Sequence, residues 1–122
     1  MGDQNKQLHL AALNGNIGKV RELLNAKADL NSMSDEPTGN RTALMFASQR
    51  GNIETLLVLH KNGASLEAED IFGQTALLRA VTKGQIAAAE VLIKMKANIN
   101  KQDHEGMAPL HIAAETDNAS AV

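Results

Sequence analysis

The 122-residue sequence has no cysteine, tryptophan or tyrosine, and only two phenylalanines and two prolines. Without cysteine there is neither a disulfide framework nor thiolate chemistry, which fits a reducing compartment. A single globular core of this size would use several large aromatics, each burying roughly 150–250 Å². Ala, Leu, Ile, Val and Met suit thin layers of closely stacked helices instead. An excess of charge is lacking too: 12 Lys and Arg stand against 14 Asp and Glu, a formal charge of −2. No overall field attracts a polyanion, so nucleic acid is not expected as a partner. No stretch approaches the roughly 20 apolar residues that span a bilayer, and no apolar signal region follows Met1. The expectation is a cytoplasmic chain without membrane insertion. Met1-Gly2 has the start of an acylation motif, but Lys6 stands where that motif needs Ser or Thr.

Reactive constellations are also missing. There is no Gly-rich phosphate loop, no nucleophile elbow and no calcium-loop spacing of carboxylates. The four histidines form no His-x-x-x-His pair able to chelate zinc from one helix. Asp103-His104-Glu105 offers three ligand types in a row, but consecutive turn residues point different ways, so a surface turn is the better reading. Asn40-Arg41-Thr42 and Asn118-Ala119-Ser120 match the glycosylation pattern by coincidence, given no secretion signal. The expectation is that the chain is no enzyme and has no catalytic residue, metal or cofactor.

One phrase occurs four times: Gln7-Leu8-His9-Leu10-Ala11-Ala12, Ala43-Leu44-Met45-Phe46-Ala47-Ser48, Ala76-Leu77-Leu78-Arg79-Ala80-Val81 and Pro109-Leu110-His111-Ile112-Ala113-Ala114. The step from Leu44 to Leu77 to Leu110 is 33 residues each time, and from Leu8 to Leu44 it is 36. A constant period with one three-residue insertion indicates a solenoid. Each phrase reads as a short helix closed by Gly15, Gly51 or Gly84, which take the left-handed conformation without strain. Second helices are expected from Ile17, Ile53 and Ile86, with apolar residues three and four apart forming one buried stripe. Beyond Ala28, Ala64 and Ala97 an extended stretch follows, with Leu30, Leu66 and Ile99 pointing inward. It turns at Asp70-Ile71-Phe72-Gly73 and Asp103-His104-Glu105-Gly106, read as β-hairpin tips. The insertion, Ser34-Asp35-Glu36-Pro37-Thr38-Gly39, lengthens the first tip, and Asn40 takes the closing place of Gly73 and Gly106.

These units resemble ankyrin repeats, whose motif of about 33 residues carries Thr-Pro-Leu-His-x-Ala near its start. Each copy is imperfect. The fourth keeps Pro109-Leu110-His111-Ile112-Ala113-Ala114 but has Ala108 for Thr; the second and third keep Thr42 and Thr75 but have Ala43 and Ala76 for Pro. The resemblance covers essentially the whole chain. It implies an all-α dominated repeat solenoid, stacked helix-turn-helix units joined by β-hairpin loops, in one domain over 1–122 with units of about 1–33, 34–69, 70–102 and 103–122, the last incomplete. A longer native chain with further repeats or another domain is the expectation.

Departures from the motif mark places of interest. Lys27 and Lys96 stand where Gly63 and the family have glycine, and a non-glycine residue in that turn costs roughly 1–2 kcal/mol. His60 replaces the aliphatics Leu24 and Ile93 and is expected to be half-buried. Arg79 replaces Leu10, Phe46 and Ile112. The resemblance implies a structural hydrogen-bonding role for His9 and His111.

It also implies a protein partner, bound by the hairpin tips and the exposed ends of the first helices along a concave face. By register the candidate residues are Arg41, Gln49, Arg50, Glu69, Ile71, Phe72, Gln74, Arg79, Thr82, Lys83, His104, Glu105 and Met107. Phe72 is either a binding anchor or folds back on the next tip. Arg41, Arg50, Arg79 and Lys83 read either as a basic trough behind acidic tips or as scattered, solvated surface charges. The function expected is a non-enzymatic protein-protein interaction scaffold. The alternative is an N-terminal targeting or regulatory module of a larger protein, such as an enzyme or channel.

Overall fold

The computed structural model describes residues 2–35 and 39–111. The expectations placed on Glu36-Pro37-Thr38, and on Ile112 through the end of the fourth unit, lie outside the described residues. Among the described residues six helices follow one another up to Lys94: α1 (Gly2–Asn14), α2 (Ile17–Asn25), α3 (Ala43–Arg50), α4 (Ile53–Lys61), α5 (Ala76–Thr82) and α6 (Ile86–Lys94). Helix resumes at Pro109-Leu110-His111. The second helices begin at the three isoleucines expected.

The helices form two layers. Inner helix α3 packs against α1 on one side and α5 on the other, while the outer helices α2, α4 and α6 touch one another less. An inner helix covered on both flanks and by its own outer helix has no free stripe, and α3 is buried continuously from Ala43 to Ser48, α5 from Ala76 to Val81. Alanines 43, 47, 76 and 80 allow this close approach, and Leu8, Leu44, Leu56, Leu59, Leu77 and Leu92 fill the core at no more than 1% exposure. Each such leucine contributes about 1.5–3 kcal/mol of burial. Outer helices are amphipathic: α4 buries Thr55, Leu56 and Leu59 and leaves Leu57 half-exposed.

Thr42 and Thr75 start the inner helices, their hydroxyls accepting from the Met45 and Leu78 backbone N–H at 3.3 and 3.4 Å, the usual satisfaction of an orphan donor in the first turn. Gly51, at φ +71°, ends α3. The left-handed backbone favours glycine there, and a side chain would also have to displace the Gln85 carboxamide. Lys27 and Lys96 adopt the left-handed turn at φ 69° and 77°, and Asn40 at 55°. The strain expected at the two lysines is therefore present.

The loops differ from the expected hairpins in one respect: no strand forms among the described residues. A side chain replaces the ladder. Asp70 Oδ1 accepts the backbone N–H of both Phe72 and Gln74 at 2.9 Å, and Asp103 Oδ1 accepts those of Glu105 and Met107 at 2.9 Å. One backbone bond closes each base, Asp70 N–H to the Gln74 carbonyl at 3.0 Å and Asp103 N–H to the Met107 carbonyl at 2.9 Å. Ser34 takes the aspartate's place at the first tip, accepting from Arg41 N–H at 2.9 Å. Ser34 and Arg41 are seven positions apart where Asp70 and Gln74 are four, which locates the three-residue insertion inside this turn. Neighbouring tips are joined by one backbone bond each, Ile71 N–H to the Gly39 carbonyl at 3.1 Å and His104 N–H to the Phe72 carbonyl at 2.9 Å, beside side-chain bonds from Arg41 to Asp70 and from Gln74 to Asp103.

Two further expectations are corrected. Leu30 and Leu66 pack against the core, but Ile99 is 53% exposed, because no described outer helix follows α6 to cover it. His60 is exposed, not half-buried. Its slot lies on the solvent side of the outer layer, where Ile93 is also 46% exposed, so a polar residue costs nothing there.

Candidate protein-binding groove

The inner helices and the tips share one face, and two clefts open on it. The first, of about 550 Å³, lies between α1 and the first tip and is walled by His9, Leu10, Leu13, Met33 and Phe46, with Lys6 and Asp35 at its mouth. Leu10 is 53% and Met33 49% exposed. His9 is buried against Phe46, ring centroids 5.7 Å apart, and its Nε2–H donates to the Ser32 carbonyl at 3.0 Å. Burial lowers its pKa, outweighing the Ser32 bond and the charge of Asp35, so the ring is a neutral strut between helix and loop. His111 is structural in another way. Its Nδ1 accepts the Ala108 N–H at 3.2 Å, securing the start of the helix that opens at Pro109.

The second cleft, of about 250 Å³, lies between the second and third tips and is lined by Ile71, Phe72, Gln74, Arg79, Asp103, His104 and Glu105. Five of the residues singled out by register, Ile71, Phe72, Gln74, His104 and Glu105, thus meet Arg79 around one opening. Ile71 is 40% and Phe72 54% exposed. Phe72 does not fold away, since its backbone carries the bond to the next tip while its ring stays on the surface. Glu69 sits beside this cleft, paired with Lys101 and 3.9 Å from His104 Nε2.

Arg79 and Gln74 are not surface groups. Both are buried, and the side chain of Arg79 is held by two amides: Nε and Nη2 donate to Gln49 Oε1 at 3.3 and 3.1 Å, and Nη1 donates to Gln74 Oε1 at 2.9 Å. Gln74 Nε2 passes the chain on to Asp103 Oδ2 at 3.3 Å. Burial would raise the pKa of Asp103, but bonds from Met107, Gln74 and Glu105 and the nearby His104 hold it below its usual value. Arg41 is half-buried with Nε 3.2 Å from Asp70 Oδ2, a carboxylate whose side chain is wholly buried. Arg41 is therefore committed to tying the first tip to the second. Arg50 and Lys83 are exposed at the ends of α3 and α5, as is Thr82, while Met107 is half-buried at the base of the third tip. The basic trough read from sequence thus divides into a paired Arg41, two solvated helix-end cations and a buried Arg79.

Sequence register could not identify Gln49 and Gln74 as the side chains that seat Arg79. The signal was present only as polar residues next to the one polar intrusion, and their convergence depends on α3 and α5 lying side by side.

The ankyrin repeat model, three copies long, matches residues 8–103 and again 62–122. The chain belongs to the ankyrin repeat family. It is 39% identical over 70 residues to neurogenic locus notch homolog protein 2 of Homo sapiens, covering 57% of this chain and 3% of that protein, and the same figures hold for its Mus musculus counterpart. It is 41% identical over 70 residues to a transient receptor potential cation channel subfamily A member 1 homolog of Caenorhabditis elegans, covering 57% of this chain and 6% of the channel. The chain thus spans a small part of the length of these relatives. Ankyrin repeats are generally protein-interaction modules and typically non-catalytic. Among the described residues no helix is long and apolar enough to cross a membrane.

Proposed function

We propose that this ankyrin repeat chain is a non-enzymatic scaffold that holds a protein partner along the face shared by α1, α3, α5 and the tips. The observation that carries this reading is the exposed pair Ile71 and Phe72, at 40% and 54%, beside the Arg79 cleft. Apolar side chains on a turn gain nothing in water, and aromatic anchors commonly supply most of the energy of an interface. Arg50, Lys83, Thr82, Glu105 and Met107 supply the surrounding contact surface, with charge guiding orientation and encounter rate.

Affinity capture with the wild type and with Phe72→Ala tests the reading. A protein retained by the wild type should bind the variant at least about tenfold more weakly, with the thermal melt of the domain unchanged. Undiminished capture by the variant would overturn the groove assignment. The second reading, a module within a larger protein, is supported by relatives in which the matching segment is 3% and 6% of the length. Sequencing the full transcript tests it, and a coding region confined to the repeats would refute it.

A further inference from the structure

Arg79 has two properties that a structural arginine does not need. First, among the described residues no carboxylate bonds to it. Its three hydrogen bonds run to neutral amide oxygens of Gln49 and Gln74, and the charges acting on it are the repulsive Arg41 and the attractive Asp70. Asp70 is already bonded to Arg41 and to two backbone N–H groups. Two guanidiniums thus share one saturated carboxylate, which leaves one positive charge in a buried setting, where an uncompensated ion is costly. Second, Arg79, 7% exposed, lines the cleft of about 250 Å³ together with Ile71 and Phe72. A guanidinium has five N–H donors. Three are engaged, so one on Nη1 and one on Nη2 are left, the number a bidentate carboxylate uses.

We propose that the Arg79 cleft is the receptor for a single Asp or Glu side chain of the protein partner, with Gln49 and Gln74 as the residues that position the guanidinium. The inference rests on the scaffold reading above and adds the chemistry of one partner residue. The opening is smaller than the roughly 300–1,000 Å³ of ordinary small-molecule sites, which suits one inserted side chain. The lining favours a lone acid over a polyanion: Asp103 and Glu105 share the cleft, and since their repulsion scales with the charge of the ligand, a single carboxylate is opposed less than a phosphate chain. In the first and second units the same slot holds Leu10 and Phe46, so the stack itself has no requirement for arginine there.

Random peptides displayed on phage and selected on the full chain test this. Wild-type selections should share one Asp or Glu. Replacing that acid with its amide should weaken the chosen peptide about tenfold or more on the wild type and less than about twofold on Arg79→Leu, a coupling that a double-mutant cycle isolates. Arg79→Lys keeps the charge without the fork, so its loss should fall between the two. It also serves if Arg79→Leu fails to fold, as judged by circular dichroism. Selected peptides without an acid, or an acid whose removal costs the same on both proteins, would overturn the carboxylate receptor and leave the scaffold reading standing. No enrichment of any peptide would count against the scaffold reading itself.

Discussion

The slot that Leu10, Phe46 and Arg79 share in successive units divides the groove into two halves. In the N-terminal half Leu10 and Phe46 stand beside the His9 strut and Met33, around a wide, largely apolar cleft. In the C-terminal half the same backbone position sends Arg79 between Gln49 and Gln74, next to the Arg41–Asp70 pair, and the cleft is narrower and charged. The two halves have the same helix starts, the same threonine caps in α3 and α5, and the same kind of side-chain-closed tip, with Ser34 in the first and Asp70 and Asp103 in the others. Surface chemistry therefore varies on this fold without altering its architecture. On the proposed scaffold reading, a groove whose ends differ in this way would discriminate among partners by the order of apolar and acidic side chains along their length.

Substitutions can separate the halves by how each is held. Asp70→Ala should do the most damage, about 3–5 kcal/mol by urea denaturation, because it strands Arg41 and unties two backbone N–H groups at once. A loss under about 1 kcal/mol would show that the C-terminal half does not depend on its aspartate turn. Phe46→Ala should cost about 3 kcal/mol, the low end for a buried ring, since its site opens on the first cleft. The same denaturation series reads it, and an equal loss of binding by a partner that needs Arg79 would mean that the halves are not independent.

The N-terminal half should also carry a pH dependence of its own. Burial depresses the pKa of His9 below its ordinary value of about 6.5. As pH falls through that value the unfolded chain takes up a proton that the native ring resists, so stability falls with pH; above it the ring is neutral in both states and contributes no slope. Urea midpoints taken from about pH 8 down to about pH 5 should show this decline, and His9→Gln should flatten it. Lys27→Gly is expected to raise stability by about 1 kcal/mol through relief of the left-handed turn, read as a higher melting temperature. The smallest effect belongs to Arg79→Leu, within about 1 kcal/mol of wild type, since exchanging a buried ion for an aliphatic is often neutral or stabilising. A loss of several kcal/mol would make Arg79 a structural residue and blur the contrast between the halves.

Most of the scaffold is legible in the sequence. Ile17, Ile53 and Ile86 begin helices because a turn closed by glycine precedes each one, and that signal is local. The left-handed Lys27, Asn40 and Lys96 follow from alignment with glycine in sister units. The tips are less legible. Asp70 and Asp103 read as turn residues, but that one carboxylate replaces a β ladder depends on side-chain geometry that periodicity does not encode. His60 differs from its expectation because residue type in sister units says nothing of which layer lies behind the slot, and that layer sets its exposure.

The period of the phrase, the glycine and threonine punctuation and the scarcity of aromatics determined by themselves that this chain stacks as ankyrin repeats, because each of those signals acts within a few residues of its own place. The tertiary structure decided what the stack presents. Gln49 and Gln74 converge on Arg79 from positions 30 and five residues away, and Arg41 is claimed by Asp70 from 29 residues away. Which of several cations stays without a carboxylate is settled only when neighbouring units are packed side by side, since a buried charge is defined by the partners that the fold brings to it or withholds.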